Sequence, residues 1–291
     1  MTHTITFPGI SDAVFTLSKT AFSVFGLDVK WYGVIICAGV LLAMAYTLSR
    51  APQFGITADQ MTDVLLIAIP AGIVGARLYY VINRWDYYAQ HPGDIVKTWE
   101  GGLAIYGGII LGFVAAFVVC RVKKLSFLAV ADVASLGFLI GQSIGRWGNF
   151  VNAEAFGGPT ALPWGMSING GATVHPAYLY ESLWNLIGLI ALHFYSKKRR
   201  FKGEILLFYV GWYGLGRAWI EGLRTDSLYL GSTDIRISQL LAILCAVTCA
   251  GMMIYLGITK KYPPLEAATS AEAPTEIPTE NQEEADSHDT H

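Results

Sequence analysis

The sequence predicts an all-α integral membrane protein with seven transmembrane helices, an N-terminus outside the cell, a cytoplasmic C-terminus and a small extracytoplasmic loop region. Three observations support this fold class. The chain is 53% hydrophobic and 14% charged. Apolar segments of about 18 or more residues, which are typical of membrane spans, recur along it. Lys and Arg cluster in alternate connections, as they do in cytoplasmic loops of membrane proteins.

Seven segments are apolar and long enough to cross a hydrocarbon core of about 30 Å at about 1.5 Å per residue. They are residues 31–49, 60–83, 101–120, 126–148, 176–196, 203–223 and 238–258. Residues 1–30 mix apolar and polar side chains too evenly to span a membrane, so we expect an extracytoplasmic or interfacial N-terminal segment. That segment also lacks the basic start and apolar core of a removable signal peptide.

The orientation follows from three basic clusters that fall on one side of a seven-span chain. They consist of Arg121, Lys123 and Lys124, then Lys197, Lys198, Arg199, Arg200 and Lys202, and finally Lys260 and Lys261. That side is predicted to be cytoplasmic, so the loop 149–175 lies outside. Residues 263–291 hold eight acidic residues and no Lys or Arg. We therefore predict a disordered cytoplasmic tail at 259–291.

Hydrogen-bonding side chains concentrate in the predicted outer halves of the helices. Arg217 lies 14 residues after Gly203, or about 21 Å along the sixth span, where an unpaired charge is costly. Residues at turn spacing share one face on each of two helices: Tyr213, Arg217, Glu221 and Arg224 on the sixth, and Gln142, Arg146 and Asn149 on the fourth. Because Arg suits bidentate phosphate contacts, two converging faces predict an outward-opening cavity for a lipid headgroup with a phosphate and a polyol.

Simpler interpretations remain open for several of these residues. Arg146, near a helix end, is also typical of a snorkelling side chain. Glu181 and His175 are equally typical of a wetted loop edge. Asp132, in the inner part of the fourth span, is interpreted as a structural polar contact.

Small residues inside the helices are interpreted as packing elements. Three glycines one turn apart on the fourth span predict the close approach of another helix: Gly137, Gly141 and Gly145. The four cysteines all fall in apolar helix and are interpreted as small hydrophobic side chains. Neither a metal-ligand spacing nor a nucleotide-binding fingerprint occurs, so no cofactor, no metal and no nucleic-acid partner are predicted.

The motif "GRWGNFVNAEAFG" at 145–157 resembles the signature of the bacterial prolipoprotein diacylglyceryl transferase family. Five other segments match this family in order: "WYG" (31–33), "GARLYY" (75–80), "GGLAIYGG" (101–108), "HPAYLYE" (175–181) and "YGLGRAWIEGLR" (213–224). The resemblance covers roughly residues 29–258 and makes 31–258 a catalytic domain. It implies a multi-pass protein of the bacterial plasma membrane, with an active site that faces the outer leaflet.

The resemblance also implies the reaction and its partners. The diacylglyceryl group of phosphatidylglycerol moves to the lipobox cysteine thiol of a prolipoprotein signal peptide, a thioether forms, and glycerol phosphate leaves. This reaction is the first step of lipoprotein maturation. The catalytic residues expected from it are Tyr32, Tyr106, Arg146, Asn149, Glu154 and Arg217. The expected substrate-binding residues are Arg77, Arg146, Asn149, Asn152, Gly157, Tyr213, Arg217, Glu221 and Arg224.

Tyr106 departs from the family pattern, because many relatives have a His at this position that has been described as a catalytic base. A Tyr has an ordinary pKa near 10, so it is a poor base at neutral pH. Three explanations stay open: neighbouring Arg residues depress the pKa of Tyr106, another residue such as Glu154 takes the proton, or Tyr106 only shapes the site.

Two other classes of function compete with this interpretation. A membrane transporter for an anionic phospholipid or polyol phosphate also tolerates charges within the membrane, but typically places them near the midplane between two related halves. The sequence shows one-sided polarity and no internal repeat, which disfavours a transporter. A non-catalytic lipid-binding protein is the remaining alternative.

Overall fold

The computed structural model describes residues 2–24, 26–225, 236–262 and 265. Within these residues, seven helices are 18 residues or longer. They are α1 (Trp31–Arg50), α2 (Ala58–Asn83), α4 (Ile105–Val122), α5 (Phe127–Asn152), α6 (Ala177–Tyr195), α7 (Glu204–Leu223) and α8 (Ile237–Thr259), with a one-turn helix α3 (Trp85–Tyr88) after α2. Each long helix coincides with one predicted segment.

Five of these helices are long and apolar enough to cross a membrane: α1 with the turn that follows it, α2, α4, α5 and α8. The other two long helices, α6 and α7, carry buried charged or polar groups such as Glu181, Asn185 and Glu221. The chain is therefore a helical integral membrane protein with several spans. Most of the predicted tail, at 263–264 and 266–291, and part of one predicted outer loop, at 226–235, lie outside the described residues.

The predicted all-α fold class is wrong for the N-terminal segment, which forms β-strands. The strands are β1 (Thr2–Phe7), β2 (Ser11–Ser18), β3 (Thr20–Val24), β4 (Leu27–Lys30) and, after α5, β5 (Ser167–Ile168). They form an antiparallel sheet in the order β2-β1-β5 and a separate β3-β4 hairpin. The alternation in "THTITF" turns Ile5 towards Met166 and Tyr178, where all three side chains are buried. This burial stabilises the sheet against the helices.

The strands mark one end of the helix bundle, which we call the strand-side end. β4 runs directly into α1, and β5 lies in the connection between α5 and α6. The opposite end carries the connections 51–57, 123–126 and 196–203. There α2 begins with a capping box, in which the Thr57 side chain accepts the Gln60 N–H and the Gln60 side chain accepts the Thr57 N–H.

Helix α5 forms the centre of the bundle and packs against α1, α6 and α7. Its residues Val133, Leu136 and Leu139 are completely buried. The predicted close approach at the α5 glycines is confirmed at Gly137, where an added Cβ would lie 2.6 Å from the Thr47 hydroxyl oxygen of α1. Gly145 is similarly close to α1, but Gly141 faces open space. The glycine row therefore packs at its two ends and leaves a gap at its middle.

Helices α2 and α4 pack chiefly against each other. A Cβ added to Gly75 or to Gly107 would overlap the backbone of the partner helix, so only glycine permits this approach. The Ala104 N–H also donates to the Ala76 carbonyl across the pair, at 3.0 Å. This contact fixes the start of α4 beside α2.

Asp132 is a structural contact, as the sequence predicts. Its fully buried carboxylate accepts the backbone N–H groups of Gly203 at 2.8 Å and Leu206 at 2.9 Å. These N–H groups belong to the first turn of α7, so Asp132 caps that helix from a neighbouring one. Arg199 completes the contact at 3.2 Å.

Candidate functional site

Four charged side chains form a connected network at the strand-side ends of α5, α6 and α7. Glu181 of α6 forms an ion pair through Oε1 with Arg146 of α5, and its Oε2 lies 3.4 Å from Nη1 of Arg217 on α7. Arg217 also contacts Glu221, with Nη2 and Oε2 2.8 Å apart. Both carboxylates are buried, while the Arg side chains remain 23% and 19% exposed. The two predicted polar faces therefore converge, and Glu181 joins them.

The network continues past the end of α5. Arg146 donates to the Asn149 side-chain oxygen at 3.2 Å, and the Asn149 amide donates to Glu154 Oε1 at 3.0 Å. Asn152 donates to the same Glu154 oxygen at 3.2 Å. Ala153 adopts a left-handed conformation at φ 53°, which ends the helix and turns the chain back. Within the motif 145–157, the Glu154 carboxylate therefore accepts hydrogen bonds from the Asn149 and Asn152 amides. The Glu154 side chain nevertheless stays exposed.

Gly157 ties the loop after α5 to two other elements. Its N–H donates to the His175 carbonyl at 2.8 Å, and it pairs with Arg224 in an isolated antiparallel bridge. An added Cβ would lie 2.7 Å from the Leu223 carbonyl oxygen. Gly157 therefore allows close backbone packing against the end of α7. Its bridge with Arg224 fixes the position of that residue at the end of the helix.

Glu221 is anchored on the side that faces α8. Its Oε1 accepts the Ser238 hydroxyl at 2.8 Å, and its backbone carbonyl accepts Arg236 Nη1 at 2.6 Å. The side chain is only 2% exposed. Contacts from α8 and its start therefore fix the Glu221 carboxylate, which pairs with Arg217 on the same helix, α7.

Arg77 does not join this network, and its expected role in substrate binding stays a prediction. Its guanidinium donates to four backbone carbonyls of the connection between α2 and α4, at 2.5–2.9 Å: those of Asp94, Ile95, Gly101 and Gly102. The side chain is 7% exposed and lies against the Tyr88 ring at 5.2 Å. The depth of Arg77 along α2 makes it unusual in the sequence. In the structure, its N–H groups bind the backbone of the loop between α2 and α4.

The same loop holds the Asp94 carboxyl in its charged form. The Lys97 ammonium, followed by the Tyr87 hydroxyl, holds the pKa of the Asp94 carboxyl below its usual range. Asp94 is thus a charged side chain on the loop whose backbone binds Arg77.

The three predicted tyrosines occupy different positions. Tyr32 is 40% exposed, and its ring lies against Gly148 of α5. Tyr213 is partly buried and stacks on Tyr209 at 6.1 Å. Tyr106 is 53% exposed, and its hydroxyl has no hydrogen-bond partner among the residues that the structure describes. Among the described residues, no hydrogen bond joins an Arg to the Tyr106 hydroxyl.

An apolar groove reaches the network from the middle of the bundle. It is a cavity of about 460 Å³ between α1, α2, α4 and α5. Its polar end is lined by Tyr32, Gln142, Arg146 and Asn149, and its apolar part by residues such as Val40 and Ile69. It follows α5 from Gly137 to Asn149, about 18 Å of helix, and a Cβ at Gly141 would meet nothing within 4 Å. The glycine row thus opens the groove that leads to Arg146.

A reciprocal pair of tryptophans sets the register of α6 against α7. The Trp184 indole N–H donates to the Trp212 carbonyl, and the Trp212 indole N–H donates to the Trp184 carbonyl, each at 2.9 Å. The rings stack at 4.4 Å, and each lies over a glycine of the other helix, Gly216 and Gly188. The tryptophan pair lies three residues from Glu181 on α6 and five residues from Arg217 on α7. Its two hydrogen bonds hold these charged residues side by side.

The expected site omitted Glu181, which the structure places between the two Arg residues. A wetted loop edge was an equal interpretation, and it is wrong because the side chain is 4% exposed overall. One sequence signal was available. Glu181 falls on the same stripe as buried Tyr178, Asn185 and Gly188, at steps of three or four residues.

Comparisons with known proteins agree on one family. A family model described as prolipoprotein diacylglyceryl transferase matches residues 19–255. A protein of Finegoldia magna is 44% identical over 246 residues, which cover 84% of this chain and 97% of that protein. Proteins of Lysinibacillus sphaericus and Clostridioides difficile are 46% and 40% identical, each across 84% of this chain and 94% and 97% of their own lengths. All three carry the name phosphatidylglycerol–prolipoprotein diacylglyceryl transferase.

Proposed function

This chain belongs to the prolipoprotein diacylglyceryl transferase family, and we propose from that premise which residues carry out its reaction. The protein is a transferase that moves the diacylglyceryl group of phosphatidylglycerol to the cysteine thiol of a prolipoprotein. The observation that carries the assignment of the site is the Arg146–Glu181–Arg217 network at the polar end of an apolar groove.

Arg146 and Arg217 bind the phosphate of the headgroup. Each guanidinium has five N–H donors, and the described contacts occupy two on each: Asn149 and Glu181 for Arg146, and Glu181 and Glu221 for Arg217. Donors therefore remain for phosphate oxygens. The negative charge of Glu181 offsets the repulsion between the Arg146 and Arg217 guanidiniums. A bound phosphate would be a second anion between these two cations.

The apolar groove holds an acyl chain of the same lipid. Its polar end lies at Arg146 and Asn149, so a chain in the groove places its headgroup beside the network. Burial of apolar surface contributes roughly 25 cal/mol per Å². The groove thus supplies binding energy while the charged network sets the position of the phosphate ester.

The reaction is a displacement at the glyceryl carbon that bears the phosphate ester. The peptide thiolate attacks this carbon, a carbon–sulfur bond forms, and the carbon–oxygen bond breaks. Glycerol phosphate leaves with that electron pair, and Arg146 and Arg217 stabilise its growing negative charge. Glu154 accepts the thiol proton: it is exposed, and its Oε2 has no hydrogen-bond partner in the described part of the chain.

The topology is proposed to be seven spans, with the N-terminus outside and the active site in the outer leaflet. The three basic clusters lie at the end opposite the strands, which supports a cytoplasmic location for that end. The charged groups of α6 and α7 pair with one another, which lowers the cost of spanning. Reporter fusions at Lys124, Lys198 and Lys261 are expected in the cytoplasm. An extracytoplasmic signal at Lys198 would overturn the orientation.

The function is tested with purified protein, phosphatidylglycerol labelled in its acyl chains, and a lipobox peptide. Label is expected on the peptide only when the lipobox cysteine is present, so a Cys-to-Ser peptide is the control. Tight lipid binding without transfer would favour a lipid-binding protein, and it would remove the catalytic assignment.

A further inference from the structure

A second cavity, of about 750 Å³, lies at the end of the bundle opposite the strands. Three connections form its walls: the turn after α1, the loop between α4 and α5, and the loop between α6 and α7. The transfer reaction proposed above uses none of these residues.

Four cationic side chains line this cavity, which we call the basic groove: Lys124, Lys197, Arg199 and Lys202. Arg199 forms an ion pair with Asp132, and the Lys197 ammonium lies 5.6 Å from the centre of the Phe194 ring. Among the residues that the structure describes, no carboxylate lies within 4.0 Å of the three Lys ammonium groups. The basic groove therefore presents three positive charges without a described counter-ion.

The wall of the basic groove is held by contacts of Arg199 and Arg200. The Arg199 guanidinium lies 4.2 Å from the centre of the Phe54 ring and donates to the Gln53 carbonyl at 3.3 Å. Arg200 forms an ion pair with buried Glu204 at 2.7 Å. A charged site with a fixed wall favours a ligand of opposite charge.

The chain itself brings such a ligand to the basic groove. Leu265 is one of the residues that line the cavity. Residues 266–291, which follow it, contain all eight acids of the tail and no Lys or Arg: Glu266, Glu272, Glu276, Glu280, Glu283, Glu284, Asp286 and Asp289. We propose that this acidic segment binds the basic groove through Lys124, Lys197 and Lys202.

Attachment to Leu265 favours this occupant over an anion from solution or lipid. A short tether gives a binding partner an effective concentration of about millimolar or more, and the eight acids of the segment are opposite in charge to the three lysines of the basic groove. Binding would connect the three wall loops, and it would weaken with salt because exposed charges are screened within about 10 Å at 0.1 M.

The test compares two variants of the full-length protein that each lose three positive charges. The groove variant carries Lys124→Gln, Lys197→Gln and Lys202→Gln. The control variant carries Arg121→Gln, Lys198→Gln and Lys260→Gln, at exposed positions of the same end that do not line the cavity.

The measurement is the rate at which glutamyl endopeptidase cleaves residues 266–291 in detergent at low salt. We expect cleavage in the groove variant to be at least about three times faster than in wild type and control, and about 0.5 M salt to remove the difference. Equal low-salt rates in wild type and groove variant would overturn the proposal, as would equally fast cleavage of the control.

A second measurement distinguishes the tail from a lipid headgroup. A chain that ends at Leu265 should bind a synthetic peptide of residues 266–291 more tightly than a peptide with its acids replaced by Gln and Asn. If phosphatidylglycerol micelles bind the three lysines and the acidic peptide does not, the occupant is a lipid and the proposal is wrong. Neither measurement uses transfer activity, so the proposed function can fail or hold independently.

Discussion

The two ends of the helix bundle both contain buried carboxylates paired with Arg, but the pairs are completed differently. At the opposite end, both Asp132 oxygens accept hydrogen bonds from backbone N–H groups, and Glu204 accepts from Tyr195 and from both the backbone and side chain of Arg200. At the strand-side end, Glu181 pairs with two guanidiniums, and one of them, that of Arg146, lines the apolar groove.

This difference separates structural charges from functional ones better than burial does. Asp132 is as well buried as any residue that the structure describes, at 0% exposure, and it caps α7. Arg146 and Arg217 are partly exposed, at 23% and 19%. A buried carboxylate that accepts backbone N–H groups stabilises the fold, whereas an Arg with unused donors next to a cavity is available to a ligand.

The largest effect is expected from replacing either Arg of the network by Lys. Lys keeps the charge but loses the planar arrangement of donors that can contact Glu181 and a phosphate together. Arg146→Lys and Arg217→Lys should each lower the transfer rate by about 10²–10³-fold while the protein still folds. Wild-type transfer rates in either variant would remove that residue from the phosphate site.

A smaller effect is expected from filling the groove. Gly141→Leu places a side chain in the open space that leads to Arg146, so the KM for long-chain phosphatidylglycerol should rise by about tenfold, roughly 1.4 kcal/mol. The matched control is Gly251→Leu, because Gly251 of α8 also has open space around it but does not line the groove. An unchanged KM in Gly141→Leu would show that no acyl chain occupies this part of the groove.

The smallest effect is expected at Tyr106. Its hydroxyl has no described partner, so we predict that Tyr106 shapes the site and is not an obligatory base. Tyr106→Phe should keep about a tenth or more of the transfer rate, a barrier increase below about 1.4 kcal/mol. Tyr106→His should also stay active.

A loss of about 10³-fold or more in Tyr106→Phe would indicate general acid–base catalysis and would contradict the shaping role. An inactive His variant beside an active Phe variant would show that steric fit governs this position.

The helices and the deep position of Arg217 were predictable because their signals are local. An apolar segment of membrane length and an ion deep within it are visible in the sequence itself. The β-strands were not, since β1 pairs with β5 more than 150 residues away and its own alternation is short. Pairing over that distance depends on tertiary context.

The sequence also did not reveal which groups pair with each charged side chain. Arg77 and Arg217 look alike by depth, yet Arg77 donates to loop carbonyls and Arg217 forms ion pairs with two carboxylates. Glu181 looked like a loop-edge residue because its position near the start of α6 fits both environments. Only the packing of α5, α6 and α7 shows that it joins Arg146 to Arg217.

The most direct test of the comparison measures thermal unfolding and the transfer rate per folded molecule in Glu181→Gln and Asp132→Asn. Glu181→Gln should remain folded and lose transfer by about tenfold or more, because Arg146 and Arg217 lose the charge that positions them. Asp132→Asn should lower the free energy of unfolding by about 3 kcal/mol and keep its transfer rate per folded molecule. Full transfer in Glu181→Gln, or a transfer defect in folded Asp132→Asn as large as that of Glu181→Gln, would contradict the assignment of the two ends.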